Sequence, residues 1–448
     1  MRIRDFGRIG LWLLACGAAG YASAQTGWET AARPDPRRTP VVEVFQRWRN
    51  SVVYLTGATL QGDGPSIEEF FRVPEKDRKV ISIGSGFVVH HSGYIVTSAH
   101  AVEKVIAHLV TFSNQTAYRA ELIGFERDYD LALLKIAPKH RLVPVQLAAG
   151  GDLLIGETVI VISNPHGLMH TCTTGVLSAT HRATRPQQRQ DFVLDGLLQT
   201  DAGINPGSSG GPWFNVLGQV IGITTAVRPE SQRIGFAVSV ETIRKVLPGL
   251  LDVERRYGFA TGLKVNAAEP CRVMSVAAIS PAARAGLRAG DVLVRLAEAP
   301  LASGADLHLA LVGSQAGQKL PFRVLRNGKL HQGSLQLDPR VKPDGAALLK
   351  RKLGLTAVPL DEAKARATGL RFERGVVIAA VDRGLYGKLD NPPRPGDVLA
   401  RIGQVHPRDL DHLGLLLERL ETGHPVRVVL LRLKGNVGTR VDLTIPVR

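Results

Sequence analysis

Residues 207–212 read Gly-Ser-Ser-Gly-Gly-Pro, and this glycine-flanked pair of serines constrains the chain more than any other segment. A serine hydroxyl is a poor nucleophile unless a base takes its proton and fixed N–H donors stabilise the oxyanion that forms. Glycines allow the tight turn that exposes such a serine and directs N–H groups toward developing negative charge. The segment therefore predicts a nucleophilic serine, provided that a histidine and a carboxylate occur elsewhere in the chain.

Candidates for both partners stand at the edges of predicted strands. His100 closes the segment Tyr-Ile-Val-Thr-Ser-Ala-His, and Asp130 opens Asp-Leu-Ala-Leu-Leu-Lys-Ile. Each has an ordinary explanation when it is taken alone, because a lone histidine often belongs to a core and an aspartate often ends a strand. The order His, Asp, Ser is one of the known orders of a catalytic triad, and it is typical of the chymotrypsin type of β-barrel.

The chemistry of such a triad assigns a role to each residue. Ser209 would attack a scissile carbonyl, His100 would take its proton and pass it to the leaving amine, and Asp130 would hold the imidazole in the productive tautomer. The N–H groups of Gly207 and Ser209 are the predicted donors of the oxyanion hole. Ser208 is a rival nucleophile, and Ser209 is preferred because two glycines follow it directly.

The composition is that of a globular protein with several domains. The chain has 448 residues, 44% of them hydrophobic and 21% charged, which is enough for about three domains. The formal net charge is +16. Scattered basic residues with few aromatics argue against a nucleic-acid partner and leave affinity for anionic membrane or cell-wall surfaces open. We predict neither a metal site nor a cofactor.

The N-terminus predicts export. Three arginines lie among the first eight residues and are followed by an apolar run at residues 9–14, which is too short to span a bilayer. We expect residues 1–24 to be a signal peptide and residues 25–40 a mobile leader. Lipid attachment at Cys16 is an alternative, because Leu-Leu-Ala-Cys resembles a lipoprotein signal. Either route predicts a periplasmic location.

Residues 41–252 predict a β-rich domain. Short strand-like segments are separated by Gly, Asn, Asp and Pro turns. Examples lie at residues 51–55, 86–89, 158–162 and 219–223. Residues 57–79 interrupt this rhythm and predict a surface loop. The domain ends in a predicted helix, which has Ser239 as its N-cap and apolar residues at helical spacing, namely Val240, Ile243, Val246 and Leu247.

The remaining chain contains a diverged internal repeat. Gly-Asp-Val-Leu occurs at residues 290–293 and again at 396–399, and each copy is followed by a helical pattern. We predict two small strand-helix-strand modules at residues 257–338 and 346–448. Residues 339–349, rich in Pro, Gly and Lys, predict a linker.

Further groups of residues carry a family resemblance. They lie at residues 84–89, 93–97, 164–168, 173–179, 199–207, 234–238, 280–287 and 290–291. Together with the triad they make the chain similar to the HtrA (Deg) family of serine proteases with two PDZ domains. The resemblance implies a mainly β fold, with a chymotrypsin-like double β-barrel protease domain followed by two α+β PDZ domains.

The same resemblance implies a function. Members of this family are ATP-independent endopeptidases that degrade misfolded exported proteins, respond to PDZ occupancy and assemble as trimers or multiples of trimers. The chain departs from the family pattern at Ser208, where Asn is usual, and at Ser98 and Ala99, which replace an Asn pair. Ser208 is expected to contribute mainly its backbone. The arginine-rich segment at residues 180–195 is the expected relay between PDZ domains and active site.

Two further kinds of site are predicted. Ile204 and Phe236 are expected to line the primary specificity pocket and, with no acidic group there, to select small aliphatic P1 residues; Ile204 could instead be barrel core. Each module is expected to add a peptide strand to a sheet edge and to bind its C-terminal carboxylate. The expected peptide-binding loops are Thr261, Gly262 and Leu263 in the first module and Leu353, Gly354 and Leu355 in the second, although the glycines could merely shape turns.

Three functions remain to be compared. The leading hypothesis is a regulated serine endopeptidase of the cell envelope. One rival is a non-hydrolytic holdase or adaptor that binds unfolded chains through the barrel and the PDZ modules. The other is a cationic cell-surface binding protein, which would adhere to anionic membranes without turnover.

Overall fold

The structure is a computed structural model in which the larger part of the chain is described. The described residues are 35–59, 79–103, 105, 107–165, 168, 170–185, 193–227, 233–340, 342–360, 375–387, 389–403, 405–434 and 437–448. The predicted signal peptide, Cys16 and the first part of the predicted leader lie outside this set. No helix within the described ranges is long and apolar enough to cross a membrane.

The first helix is α1 (Pro40–Trp48), and its first residue is the last residue of the predicted leader. A short 3₁₀ turn at Arg49–Ser51 then leads into the first strand. Trp48 stacks on Phe214 with ring centroids 6.3 Å apart. The end of α1 is therefore anchored to a strand that lies far away in the sequence.

Six strands close into a first barrel in the order β1-β2-β3-β6-β5-β4. They are β1 (Val52–Thr59), β2 (Lys79–His90), β3 (Tyr94–Ser98), β4 (Ala107–Thr111), β5 (Ala117–Glu126) and β6 (Leu131–Lys135). Side chains at alternate positions, such as Val53, Leu55, Ile95 and Leu134, fill its core, because successive side chains of a strand point to opposite faces. Helix α2 (Ala99–Val102) follows β3 directly.

A second barrel follows in the chain. Its sheet has the order β11-β8-β9-β10-β13-β12-β7, and the pairing of β11 with β12 closes the ring. The strands are β7 (Gln146–Leu147), β8 (Thr158–Ser163), β9 (Thr171–Thr184), β10 (Leu194–Thr200), β11 (Pro212–Phe214), β12 (Gln219–Val227) and β13 (Gly235–Ser239). The predicted strands and the mainly β fold are thus confirmed. The loop predicted at residues 57–79 overlaps β1, which continues to Thr59, and β2, which begins at Lys79; residues 60–78 lie outside the described residues.

Helix α3 (Val240–Leu251) ends the double barrel where the apolar spacing predicted a helix, and the side chain of Ser239 caps it by accepting from Thr242 N. Its buried Arg244 donates to the carbonyl oxygens of Ala148 and Leu147 at 2.8 and 3.0 Å. The same guanidinium contacts Ser303 and pairs with Glu269 and Asp306 at 3.0 and 3.2 Å. Arg244 therefore ties the second barrel to the first module.

The first module follows a short helix α4 (Val253–Tyr257). It contains β14 (Phe259–Ala260), β15 (Leu263–Val265), β16 (Val273–Val276), α5 (Pro281–Arg284), β17 (Val292–Leu296), β18 (Ala299–Pro300), α6 (Gly304–Ala310), β19 (Lys319–Arg326), β20 (Lys329–Gln336) and β21 (Asp338–Pro339). Strands β14 and β21 pair antiparallel, so the two ends of the module meet.

The second module has one sheet in the order β22-β23-β24-β25-β26. Its elements are α7 (Gly345–Leu353), β22 (Leu355–Pro359), β23 (Val376–Val381), α8 (Arg383–Tyr386), β24 (Val398–Ile402), α9 (Leu410–Glu418), β25 (Pro425–Lys434) and β26 (Val437–Pro446). Arg408 pairs with Glu121 of the first barrel at 2.6 Å. Arg419 pairs with Asp252, next to α3, at 2.7 Å.

The two modules share a structural signature that explains the sequence repeat. Buried Asp291 accepts two hydrogen bonds from Arg326, each at 2.7 Å. Asp397 accepts two from Arg432, each at 2.9 Å. Burial alone would raise the pKa of Asp291, but the hydrogen bonds from Arg326 and from the Arg288 N–H hold it below its usual range. The repeated aspartate is thus a paired buried charge that fixes a hairpin in each module.

The predicted linker at residues 339–349 is wrong over its second half. Residues 345–353 form α7, capped by the side chain of Asp344 at its start and by Gly354 with φ +65° at its end. Leu348, Leu349 and Leu353 of this helix belong to the core of the second module. The composition suggests a linker because Pro343 and Gly345 are typical loop residues, whereas in the structure they lie at the start of α7.

Candidate active site

His100 and Asp130 meet at the rim of the first barrel. His100 Nδ1 lies 2.8 Å from Asp130 Oδ2, and the backbone N–H of His100 donates to Asp130 Oδ1 at 2.9 Å. The N–H of Ala99 donates to the carbonyl oxygen of Asp130 at 3.1 Å. Asp130 is buried, and its φ of +51° places it in the left-handed region that aspartate tolerates better than most residues. Three contacts therefore hold Asp130 beside His100, and the carboxylate makes two of them, one to the imidazole and one to the backbone N–H of His100.

Two threonines of β12 connect this pair to the second barrel. Thr225 Oγ1 donates to Asp130 Oδ2. The carbonyl oxygen of the adjacent Thr224 accepts from Ser98 Oγ at 2.9 Å and from Gly210 N at 2.8 Å. Ser98, which replaces an asparagine of the family pattern, thus anchors the segment before His100. One strand therefore holds the histidine, the carboxylate and the serine loop together.

The serine loop approaches the first barrel at two glycines. A Cβ atom on Gly84 would lie 2.6 Å from Ser209 O and 3.5 Å from the Cβ of Ala101, the residue after His100. A Cβ atom on Gly210 would lie 2.1 Å from Ser85 O. Only glycine permits such contacts, which bring the backbone of Ser209 to the helix that carries His100. The three predicted triad residues are thus brought to one seam between the barrels.

The two serines of the loop differ in burial. Ser208 is 1% exposed, and its Oγ accepts from Ser163 Oγ at 3.0 Å, inside the second barrel. Ser209 is partly exposed. Ser208 therefore contributes a hydrogen-bonded side chain as well as backbone, and the structure favours Ser209 over Ser208 as the nucleophile.

The N–H groups of the loop divide into two sets. Those of Ser208 and Gly211 donate to the carbonyl oxygens of Asn205 and Ser208 at 2.9 and 2.8 Å. Those of Gly207 and Ser209 donate to no residue that the structure describes. Gly207 has φ +95°, a conformation that favours glycine. The loop thus leaves two nearby donors for an external acceptor, which is the requirement of an oxyanion hole.

The two predicted pocket residues, Ile204 and Phe236, are on opposite sides of β13: Ile204 packs against one face of the strand, and Phe236 projects from the other. A Cβ atom on Gly235 would lie 2.6 Å from Ile204 Cγ1, and Ile204 also packs against the core of the second barrel. Ala237 points into that core. Phe236, between Gly235 and Ala237, points to the opposite face because side chains alternate along a strand. The structure therefore places Ile204 against Gly235 and separates it from Phe236.

The predicted peptide-binding loop of the first module is tightly built. Gly262 has φ +72°, and a Cβ atom there would lie 2.2 Å from Ser280 Cβ. Thr261 N donates to Glu254 Oε1 at 3.0 Å, and Leu263 N donates to Thr261 Oγ1 at 3.1 Å. The N–H of Gly262 donates to no described residue. On its outer side, β15 pairs with no strand in the described ranges.

The corresponding loop of the second module is closed. Leu353 and Leu355 are both 0% exposed, and the N–H of Gly354 donates to Lys350 O at 3.0 Å as the cap of α7. Helix α7 also packs directly on α9, since a Cβ atom on Gly345 would lie 2.0 Å from Leu410 O. The three predicted loop residues are therefore part of the module core and present no exposed loop to a peptide carboxylate.

Two other predictions concern metals and the arginine-rich segment. The described part of the chain contains no group of three or more His, Cys, Asp or Glu side chains placed to hold a metal ion. Arg182 donates to Gln199 Oε1 at 3.1 Å across β9 and β10. Residues 186–192 of the expected relay segment lie outside the described residues.

Thr225 and Ser85 are functional candidates that sequence reasoning missed. Thr225 is one of two adjacent threonines within the otherwise apolar end of β12, and such a buried polar pair is the signal that could have identified it. Ser85 stands in a Gly-Ser-Gly motif that was attributed to the histidine-bearing hairpin. Both act through partners more than 90 residues away in the sequence.

Comparisons with known proteins agree with this architecture. Residues 84–223 match the family described as "Trypsin-like peptidase domain", and residues 233–337 match "PDZ domain". The chain is 33% identical over 330 residues to "Protease Do-like 1, chloroplastic" of Arabidopsis thaliana, covering 68% of this chain and 72% of that protein. It is 30% identical over 436 residues to "Probable periplasmic serine endoprotease DegP-like" of Pseudomonas fulva (strain 12-X), covering 86% and 89%.

Among solved structures, "HtrA-type protease AlgWS227A with decapeptide" is 27% identical, with a TM-score of 0.41, and the match covers 67% of this chain and 98% of that one. The family assignment depends on the two sequence relatives, each of which is at least 30% identical over more than two thirds of both chains. The chain therefore belongs to the HtrA/Deg family of serine proteases, and it is a serine endopeptidase with a trypsin-like peptidase domain and a PDZ domain.

Proposed function

We propose that this endopeptidase cleaves misfolded exported proteins without ATP, in the quality control of a bacterial periplasm, under regulation by peptides bound to its PDZ domain. The observation that carries the proposal is a network in which Asp130 binds both His100 and Thr225, while the adjacent Thr224 binds Gly210 of the serine loop. A periplasmic location is supported by relatives with periplasmic names and by the sequence features of residues 1–24.

Each triad residue has a proposed role. Ser209 is the nucleophile, His100 the general base and then the acid, and Asp130 the group that sets the tautomer of the imidazole. The N–H groups of Gly207 and Ser209 form the oxyanion hole. The contact of His100 Nδ1 with Asp130 supports this assignment, because it leaves Nε2 as the nitrogen that can accept a proton.

The primary pocket is proposed to accept small aliphatic P1 side chains. Ile204 covers the backbone of Gly235, where a deeper pocket would otherwise have space. Side chains of this apolar kind offer nothing to pair with a lysine or an arginine. The pocket is therefore proposed to be lined by Ile204 and Gly235. Phe236 is left out of it because Phe236 lies on the other face of β13.

The proposed domains are a protease domain at residues 41–252, a first PDZ domain at 257–338 and a second, PDZ-like domain at 346–448. The shared Asp–Arg pairs of the two modules support the last assignment. Only the first is proposed to bind C-terminal peptides. Assembly into trimers or their multiples is proposed from the family resemblance alone.

Digestion of casein tests the proposed activity. Wild type should degrade casein without added nucleotide, and Ser209→Ala should leave it intact because the nucleophile is gone. Mass spectrometry of the fragment termini should show P1 residues such as Val, Ala and Ile. Casein that stays intact in both samples but is kept soluble would support a holdase instead. Cleavage chiefly after Lys or Arg would contradict the pocket.

A further inference from the structure

Ser85 belongs to β2 of the first barrel, yet two of its polar groups bind the serine loop of the second. Its N–H donates to Ser209 O at 2.8 Å, and its Oγ donates to Gly207 O at 2.9 Å. The residue is 0% exposed. Ser85 therefore holds the carbonyl groups on both sides of Ser208 from the opposite barrel.

The direction of the Ser85 hydroxyl is determined by its other partner. The backbone N–H of Asn164 donates to Ser85 Oγ at 2.9 Å. A backbone N–H can only donate, so the oxygen of Ser85 must accept there and its single hydrogen is left for Gly207 O. Asn164 is held in turn, because its Nδ2 donates to Val53 O of β1 at 2.9 Å.

The other carbonyl groups of the loop are also bound. Ser208 O accepts from Gly211 N at 2.8 Å, and Ser209 O accepts from Ser85 N. Gly207 has no side chain to restrict its rotation, so the orientation of its peptide planes depends on such external contacts. Within the described residues, the Ser85 hydroxyl is the side chain that holds the carbonyl of Gly207.

We propose that Ser85 is a positioning residue for the oxyanion hole. Its hydroxyl fixes the carbonyl of Gly207 and with it the peptide plane between Gly207 and Ser208. This plane lies between the two planes that carry the N–H groups of Gly207 and Ser209, so fixing it limits the directions of both groups and keeps them aimed at the reacting carbonyl. Ser85 acts only through the loop and touches no substrate. The inference depends on the proposed function, in which these two N–H groups stabilise the oxyanion.

Replacing Ser85 with alanine tests the inference. The change leaves the carbonyl of Gly207 and the N–H of Asn164 without their buried partner. Complete loss of one oxyanion donor costs about 10²–10³ in kcat, and a donor that is only misdirected should cost less, on the order of 10–10². We expect that drop in kcat on a short peptide substrate with KM nearly unchanged. Affinity for a peptide boronate should fall in parallel, because its tetrahedral oxygen occupies the same hole.

Ser51→Ala is the matched control. Ser51 is also a buried serine of the first barrel, and its Oγ donates to a backbone carbonyl, Val143 O, at 2.7 Å. It lies outside the serine loop, so its loss should lower the melting temperature to a similar degree without changing kcat. Ser85→Thr keeps a hydroxyl and should recover most of the kcat lost in Ser85→Ala.

The outcomes separate this inference from the proposed function. A Ser85→Ala variant with wild-type kcat contradicts the inference, and so does a kcat loss that Ser51→Ala reproduces at equal thermal stability. A change in KM alone contradicts it as well. If the wild type itself cleaves nothing, the proposed function fails, and the inference fails with it.

Discussion

Asp130→Asn should lower kcat about 10⁴-fold, as expected when the catalytic imidazole is held in the wrong tautomer. Asp130 accepts a hydrogen bond from the backbone N–H of His100 on Oδ1 and faces His100 Nδ1 with Oδ2. An asparagine has one oxygen and one NH₂ group. Because the backbone N–H can only donate, the asparagine oxygen must turn to it, and the NH₂ group must face Nδ1. Nδ1 is then forced to accept, and Nε2 carries the proton.

Steady-state kinetics on a short peptide substrate measure this effect. KM and the melting temperature should change little, because asparagine has the shape of aspartate and Thr225 can rotate its hydroxyl to accept from the new NH₂ group. Asp291→Asn offers a control of the same chemical change at another buried, hydrogen-bonded aspartate. It should lower stability and leave kcat on a short peptide intact. An Asp130→Asn enzyme within tenfold of wild type would contradict the role assigned to Asp130.

The second large effect concerns peptide binding, which should occur at the first module alone. Full-length Ser209→Ala protein should bind a peptide with a free C-terminal carboxylate, and amidation of that C-terminus should weaken binding about tenfold to a hundredfold. This range corresponds to the loss of a hydrogen bond to a charged group. The two modules should differ because their glycine loops differ. The N–H of Gly262 in the first module has no described acceptor, whereas the N–H of Gly354 in the second module caps α7.

Photo-crosslinking locates the bound peptide. A peptide carrying a photoreactive residue should crosslink to β15 or to α6, which begins beside the end of β15, where a Cβ atom on Gly304 would lie 3.0 Å from Val265 Cγ2. The amidated peptide at the same concentration is the control. Crosslinks at residues 353–359 would show that the second module binds peptides. Equal binding of both peptides would show that the carboxylate is not recognised.

The sequence predicted the parts of the fold that have a local signal. The strands of both barrels are short, mostly apolar runs separated by turn residues, and α3 shows its cap and its helical spacing in consecutive residues. The repeated Gly-Asp motif indicates two related modules, and in each module the buried aspartate pairs with an arginine. Local patterns of this kind can be recognised in the sequence without knowledge of the tertiary contacts.

The parts that failed depend on distant contacts. The predicted linker at residues 339–349 includes the first half of helix α7, because the leucines of this helix become core only when α9 and β22 pack against them. Phe236 was assigned to the pocket because its orientation depends on the strand phase of β13. Thr225 and Ser85 form their key hydrogen bonds with residues 95 and 122 positions away, so the local sequence does not identify these partners. The sequence already prefers Ser209 to Ser208 because two glycines follow it, and the burial of Ser208 supports the same choice.

Labelling with a fluorophosphonate tests the central claim most directly, because this probe reacts with an activated serine. Intact-mass analysis and peptide mapping of the wild type should show a single adduct, located on Ser209. The adduct should be absent from His100→Ala, which lacks the base. An adduct on Ser208 would contradict the assignment of Ser209 as the nucleophile. Equal labelling of the wild type and His100→Ala would contradict the seam between the barrels as the catalytic centre.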